Sequence, residues 1–98
     1  MSNVQQLHNQ AMDLAEEAFI QKRKGHSQAA IDIFTQALAL ESQAASTFLP
    51  EPNAEPSRSI LYRSAASLAY HAQQYDHALV LIAQGLQGHP PTEIEQEL

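Results

Sequence analysis

The chain has no cysteine, no tryptophan, three glycines and only five basic residues among 98. Without cysteine there are no disulfides, no thiolate catalysis and no cysteine-ligated metal, which fits a reducing compartment. Five bases against 11 acids leave a formal charge of −6. That balance argues against nucleic acid, whose affinity rests on neutralising phosphates, and against anionic membrane surfaces. No apolar run approaches the roughly 18 residues of a membrane-spanning helix. The opening residues show neither the basic nor the apolar stretch of a secretory leader, so the expected location is cytoplasmic. The five prolines are confined to 50–56 and 90–91, leaving two long stretches free of helix breakers.

What the chain does contain is alanine-rich apolar sequence. Apolar residues make up 44%, enough for one core in one domain. Alanine permits close helix approach but supplies little buried area of its own. Two segments echo each other 48 residues apart: Ala30-Ile31-x-Ile33-Phe34-x-Gln36-Ala37-Leu38 and Ala78-Leu79-x-Leu81-Ile82-x-Gln84-Gly85-Leu86. Small residues recur seven apart and bulky ones fill the turn between, the signature of stacked helix pairs.

Periodicity predicts an all-α fold of two antiparallel helical hairpins. The first helix runs over about 3–24, capped by Ser2. Val4, Leu7, Ala11, Leu14 and Ala18 form its buried stripe, widened by Met12, Ala15 and Phe19. Lys22, Arg23 and Lys24 complement its negative end, and Gly25 stops it. Ser27 is the expected N-cap of the second helix, which continues to about Ala45. The segment Pro50-Glu51-Pro52-Asn53-Ala54-Glu55-Pro56 breaks the helical pattern. A third helix is expected over about 56–73, and a fourth over 77–87 with Asp76 as its N-cap. Thr92-x-x-Glu95 reads as a capping box, opening either a last short helix or a frayed tail. The single domain 1–98 thus divides into hairpin one (3–46), a Pro-rich loop (48–56), hairpin two (56–88) and a tail (89–98).

Laid out this way, the chain resembles a pair of tetratricopeptide (TPR) repeats over residues 11–90. In the second hairpin Tyr62 stands at the large aromatic position, Ala66, Ala78 and Gly85 at small positions, Tyr75 in the turn and Pro90 at the terminal proline. In the first, Ala18, Gly25, Ala30, Phe34 and Ala37 match in register. Leu14, Glu17, Ser27 and Ser42 depart from the pattern, and the spacing of 48 exceeds the family's 34. The first hairpin also resembles the three-helix MIT domain, which gives no reason for the echo at Ala78. The TPR resemblance implies a short right-handed superhelix whose first helices line a groove for a peptide or partner helix. By position the lining would be Met12, Ala15, Phe19, Lys22, Arg23, Ile60, Arg63, Ser67, Tyr70 and His71. An apolar, mildly basic groove on an acidic chain suits an acidic or amphipathic segment. The plainer alternative makes Lys22–Lys24 simple helix-end charges and pairs Arg63 with Asp13 or Glu17.

The fourth helix has almost no polar face, and a helix apolar all round is buried all round. Leu79, Ala83 and Leu86 therefore need a cover. The candidates are the tail through Ile94 and Leu98, a symmetric second copy, or a bound protein. These five residues form the expected oligomer face of a homodimer. No nucleophile elbow, glycine-rich phosphate loop or i, i+4 histidine pair is present, so the expectation is a non-catalytic binding module with no cofactor and no metal. Two alternatives remain open: a structural homo-oligomerisation unit without a groove ligand, and a small metal-dependent enzyme using His71 or His77.

Overall fold

The two breaker-free stretches each become a helical hairpin. The computed structural model describes residues 3–98, so the expected Ser2 cap lies outside the described residues. It is all-α, with α1 (Asn3–Arg23), α2 (Ser27–Ser46), α3 (Ser57–His71), α4 (Tyr75–Leu86) and α5 (Thr92–Glu97). The proline-rich connection adds one 3₁₀ turn at Pro52–Ala54. Among the described residues no helix is long and apolar enough to cross a membrane.

The echo extends into backbone geometry that the residue types do not display. After α1, the His26 N–H donates to Gln21 O and the Gly25 N–H to Lys22 O, with Gly25 at φ +83°. This pair of hydrogen bonds closes a Schellman turn. Exactly one repeat spacing later the same turn closes α3: Gln74 N–H donates to Ala69 O, Gln73 N–H to Tyr70 O, and Gln73 has φ +64°. The next residues, His26 and Gln74, also match, at φ −90°, ψ 68° and φ −98°, ψ 71°. They, rather than Ser27 and Asp76, are the N-caps, and neither makes a side-chain cap bond. Ser27 instead opens α2, and Asp76 lies in the first turn of α4, where its charge still favours the helix dipole. The Thr92-x-x-Glu95 box does not close either, because Pro91 occupies the cap position of α5. Gln73 bears a Cβ in a left-handed conformation that glycine adopts freely. Gln73→Gly should therefore stabilise the protein by about 0.5–1 kcal/mol, read as a raised urea midpoint.

Packing proceeds largely between sequence neighbours: α1 on α2, α2 on α3, α3 on α4, with α5 against α3. This nearest-neighbour pattern is what stacked helix pairs produce. More than half of the buried apolar residues are alanine, including Ala11, Ala18, Ala37, Ala44, Ala45, Ala65 and Ala69 at 0% exposure. Small side chains let the helices approach closely, and Phe34 is the largest fully buried apolar side chain between them. At Gly85 the neighbours come close enough to restrict any side chain. A Cβ there would stand 3.1 Å from Tyr62 Cβ and 3.1 Å from Leu98 Cδ1. As the last helix of the stack, α4 covers only one side of itself. Leu79, Val80 and Leu86 remain 64, 52 and 45% exposed.

Candidate functional site

Both α1 and α3 rest on α2, and a valley opens between them. At its near end Val4, Gln5 and His8 of α1 face Ser57, Ile60 and Leu61 of α3 across a cleft of about 480 Å³, floored by Phe48. Farther along, Met12, Ala15 and Phe19 face Arg63, Ser64, Ser67, Leu68 and His71 across a second cleft of about 400 Å³. Residue numbers rise together on both walls, so α1 and α3 run in the same direction. Six expected groove residues (Met12, Ala15, Phe19, Arg63, Ser67 and His71) thus line one cleft, and Ile60 lies at the other end of the same valley.

A third cleft, of about 490 Å³, lies on the α4 side of α3. Arg63, Ser67 and Tyr70 line it together with Tyr75, Leu79, Ile82, Glu97 and Leu98. Tyr70 therefore belongs to this cleft, with its ring edge-on to Tyr75 at 5.6 Å. Arg63 does not pair with Asp13 or Glu17. Its Nη1 donates to Glu97 Oε2 at 2.9 Å, and Glu17 instead accepts from Gln21 Nε2 at 2.8 Å. Arg23 is exposed and lines none of these clefts. Of the expected oligomer face, Leu79, Ala83 and Leu86 are exposed. Ile94 is buried and Leu98 half-buried within the same chain, because α5 folds back on α3. Those two residues belong to intramolecular packing.

The far end of the valley is closed by an aromatic cluster. His71 stacks on Phe34 at 5.1 Å and 22°, and Phe19 meets both rings edge-on, at 4.9 Å from Phe34 and 5.0 Å from His71. Lys22 and His71 border a small cavity that continues past Phe34. Burial, and then the positive charge of Lys22, hold the His71 imidazole below the usual histidine value of 6.5. The unfolded chain binds this proton at higher pH than the folded chain, so the two states differ below that value. The His71 contribution is complete above about pH 6.5 and lost as pH falls toward the folded pKa. Lys22→Gln should raise the His71 midpoint, measured by the NMR titration of its ring protons. An unmoved midpoint would leave burial as the sole cause.

Two buried polar clusters carry no motif. Glu41 of α2 is 0% exposed, and His8 Nδ1 stands 2.9 and 3.0 Å from its two carboxylate oxygens. A carboxylate accepts, so Nδ1–H is the donor and Nε2 is left for the near cleft or solvent. The second cluster joins α3 to the end of α4. Arg58, 3% exposed, donates from Nη2 to Gln84 O at 2.7 Å and from Nη1 to Gly85 O at 3.3 Å. Its guanidinium lies 4.7 Å from the Tyr62 ring centroid. Glu55 stands beside it, 4.0 Å away, and accepts from the backbone N–H and the hydroxyl of Ser59. A signal for both existed in the periodicity. Glu41 continues the stripe Phe34, Ala37, Leu38, Ala44, and Arg58 precedes Leu61, Tyr62 and Ala65 on one face. Among the described residues no three His, Cys, Asp or Glu side chains gather as a metal-binding group.

Comparison with protein-family models, with curated proteins and with solved structures returns no match to this chain.

Proposed function

We propose that this chain is a non-catalytic protein-interaction module of TPR-like type, taking an acidic or amphipathic segment of a partner protein in the α1–α3 valley. The observation that carries this reading is the shared cleft of Met12, Phe19, Arg63, Ser67 and His71. An apolar wall of Met12, Ala15 and Phe19 facing the polar groups of α3 suits an amphipathic segment. Arg63 supplies positive charge in the cleft, and Lys22 borders the adjoining small cavity that shares His71, on a chain of formal charge −6. The matched Schellman turns support the repeat reading, since one turn geometry recurs at the sequence spacing of the echo. The test is capture from the native host by wild type and by Lys22→Glu/Arg63→Glu, both identified by mass spectrometry. Proteins held by wild type and lost by the variant are expected. Identical sets would remove the valley as the binding site.

A second reading, a structural homo-oligomerisation unit, is favoured by the outer face of α4. Residues 78–88 carry no charge, so two copies of an acidic chain can meet there without repulsion. An isologous two-fold contact would place Leu79, Val80 and Leu86 against their counterparts. Light scattering at micromolar concentration should then give twice the 10.8 kDa chain mass. A monomer at that concentration would exclude this arrangement.

A further inference from the structure

The chain itself seats an acidic, amphipathic segment on the proposed binding surface. α5 carries Glu93, Glu95 and Glu97 and no base. Its Ile94 is buried, Leu98 rests at the place where Gly85 has no side chain, and Glu97 meets Arg63 at 2.9 Å. Arg63 and Glu97 line both the α1–α3 cleft and the cleft on the α4 side. The two clefts share Arg63, Ser67 and Glu97, so they adjoin at this ion pair.

We propose that the partner site runs from the α1–α3 valley across α3 to its α4 side, that α5 is the intramolecular occupant of that second end with only Glu97 reaching the valley, and that the partner is an acidic amphipathic helical segment of another protein. This rests on the interaction-module reading. The partner's recognition pattern is the one α5 displays: an apolar residue, a second apolar residue four positions on, and a carboxylate immediately before the second. Charge complementarity selects that class, because Arg63 lines both clefts on a chain of formal charge −6. The α5 contact is built to give way. It is six residues long and packs on α3. Its linker contains Gly88, Pro90 and Pro91, and its ion pair is 36 and 56% exposed, where such pairs contribute little. A longer segment would cover Tyr75 and Leu79 as well, surface that α5 leaves open, and so can outcompete a tethered helix despite the tether's high effective concentration.

The probe is a fluorescent peptide of residues 90–98, acetylated and amidated so that its termini add no charge. It is titrated against the full chain and against full-chain Ile94→Ser/Glu97→Gln, in which α5 no longer docks. Closure of the site in wild type reduces apparent affinity by the open fraction, so binding about tenfold or more tighter to the variant is expected. Adding Arg63→Glu to that variant should weaken binding several-fold, and a peptide with lysine at the Glu97 position should recover it. Equal binding to wild type and variant, or binding indifferent to Arg63→Glu, would overturn the proposal. Far-UV circular dichroism checks that the variant folds. Should it not, the exposed Glu97→Gln alone makes the comparison, with about threefold tighter binding expected. A wild-type dimer that dissociates on Ile94→Ser would place a second copy's α5 on the site and overturn the partner assignment. If the peptide fails while host capture still depends on Lys22 and Arg63, only the role of α5 falls. If both fail, the groove reading falls with it.

Discussion

His8→Ala should destabilise the protein by about 3 kcal/mol, the cost of leaving a buried carboxylate without its partner. Glu41 is 0% exposed and both its oxygens lie within 3.0 Å of His8 Nδ1, so its carboxylate depends on that donor, and only water entering from the cleft that His8 lines can replace it. The pair ties the first half of α1 to α2 across one wall of the near cleft. The argument is asymmetric, which makes it testable. Removing one partner strands the other, whereas removing both exchanges a polar contact for an apolar one. His8→Ala/Glu41→Leu should therefore recover most of the stability that His8→Ala loses. Urea titration followed by circular dichroism reads both. If His8→Ala unfolds at the wild-type midpoint, the contact contributes nothing and Glu41 must be satisfied by water.

Arg58→Ala is expected to cost a similar amount, about 3 kcal/mol, through a different route. The last carbonyls of a helix have no partner within it. At the end of α4 those of Gln84 and Gly85 are taken up by one guanidinium, a charged group at the negative pole of the dipole. Alanine would leave Gly85 O without its side-chain donor and Gln84 O with only the Gln87 N–H, would strip Glu55, still held by Ser59 and His89, of its countercharge, and would empty the space over the Tyr62 ring. Arg58→Lys should recover only part of the loss. A single ammonium keeps the charge but cannot span two carbonyls while lying flat on a ring. A lysine variant indistinguishable from wild type would show that charge alone matters. Loss of helicity should fall mainly in α4 and α5, seen as hydrogen-exchange protection lost there first.

These two residues also show where sequence reasoning stops. Helix positions, the hairpin arrangement and the stop at Gly25 follow from periodicity and breakers, which act over a few residues. Arg58 was readable only as a base on the third helix, because its partners are carbonyls 26 and 27 residues away. Glu41 lay in an apolar stripe, a conflict that could have been noticed, but nothing local names His8 as its partner 33 residues distant. The N-caps moved for the same kind of reason. Serine and aspartate favour caps in isolation, but each helix-to-helix turn was already set by the Schellman bonds before it. The residues of the α1–α3 cleft share helix faces because the helical period orders them. Tyr70 shifted to the α4 side, and Arg63 took Glu97, once the tail folded back.

What the sequence by itself determined is the run of α-helices, their order and the two-hairpin organisation, since the 3.6-residue stripe, proline and glycine placement and a 48-residue echo are local and periodic signals. The tertiary structure alone decided which charges are buried and paired. It decided that Gln73 repeats the turn of Gly25, and that α5 lies on α3 instead of covering the outer face of α4. Those outcomes depend on distances between segments far apart in the chain. There, the cost of an unpaired buried group or a missing Cβ selects one arrangement among several that the same periodicity permits.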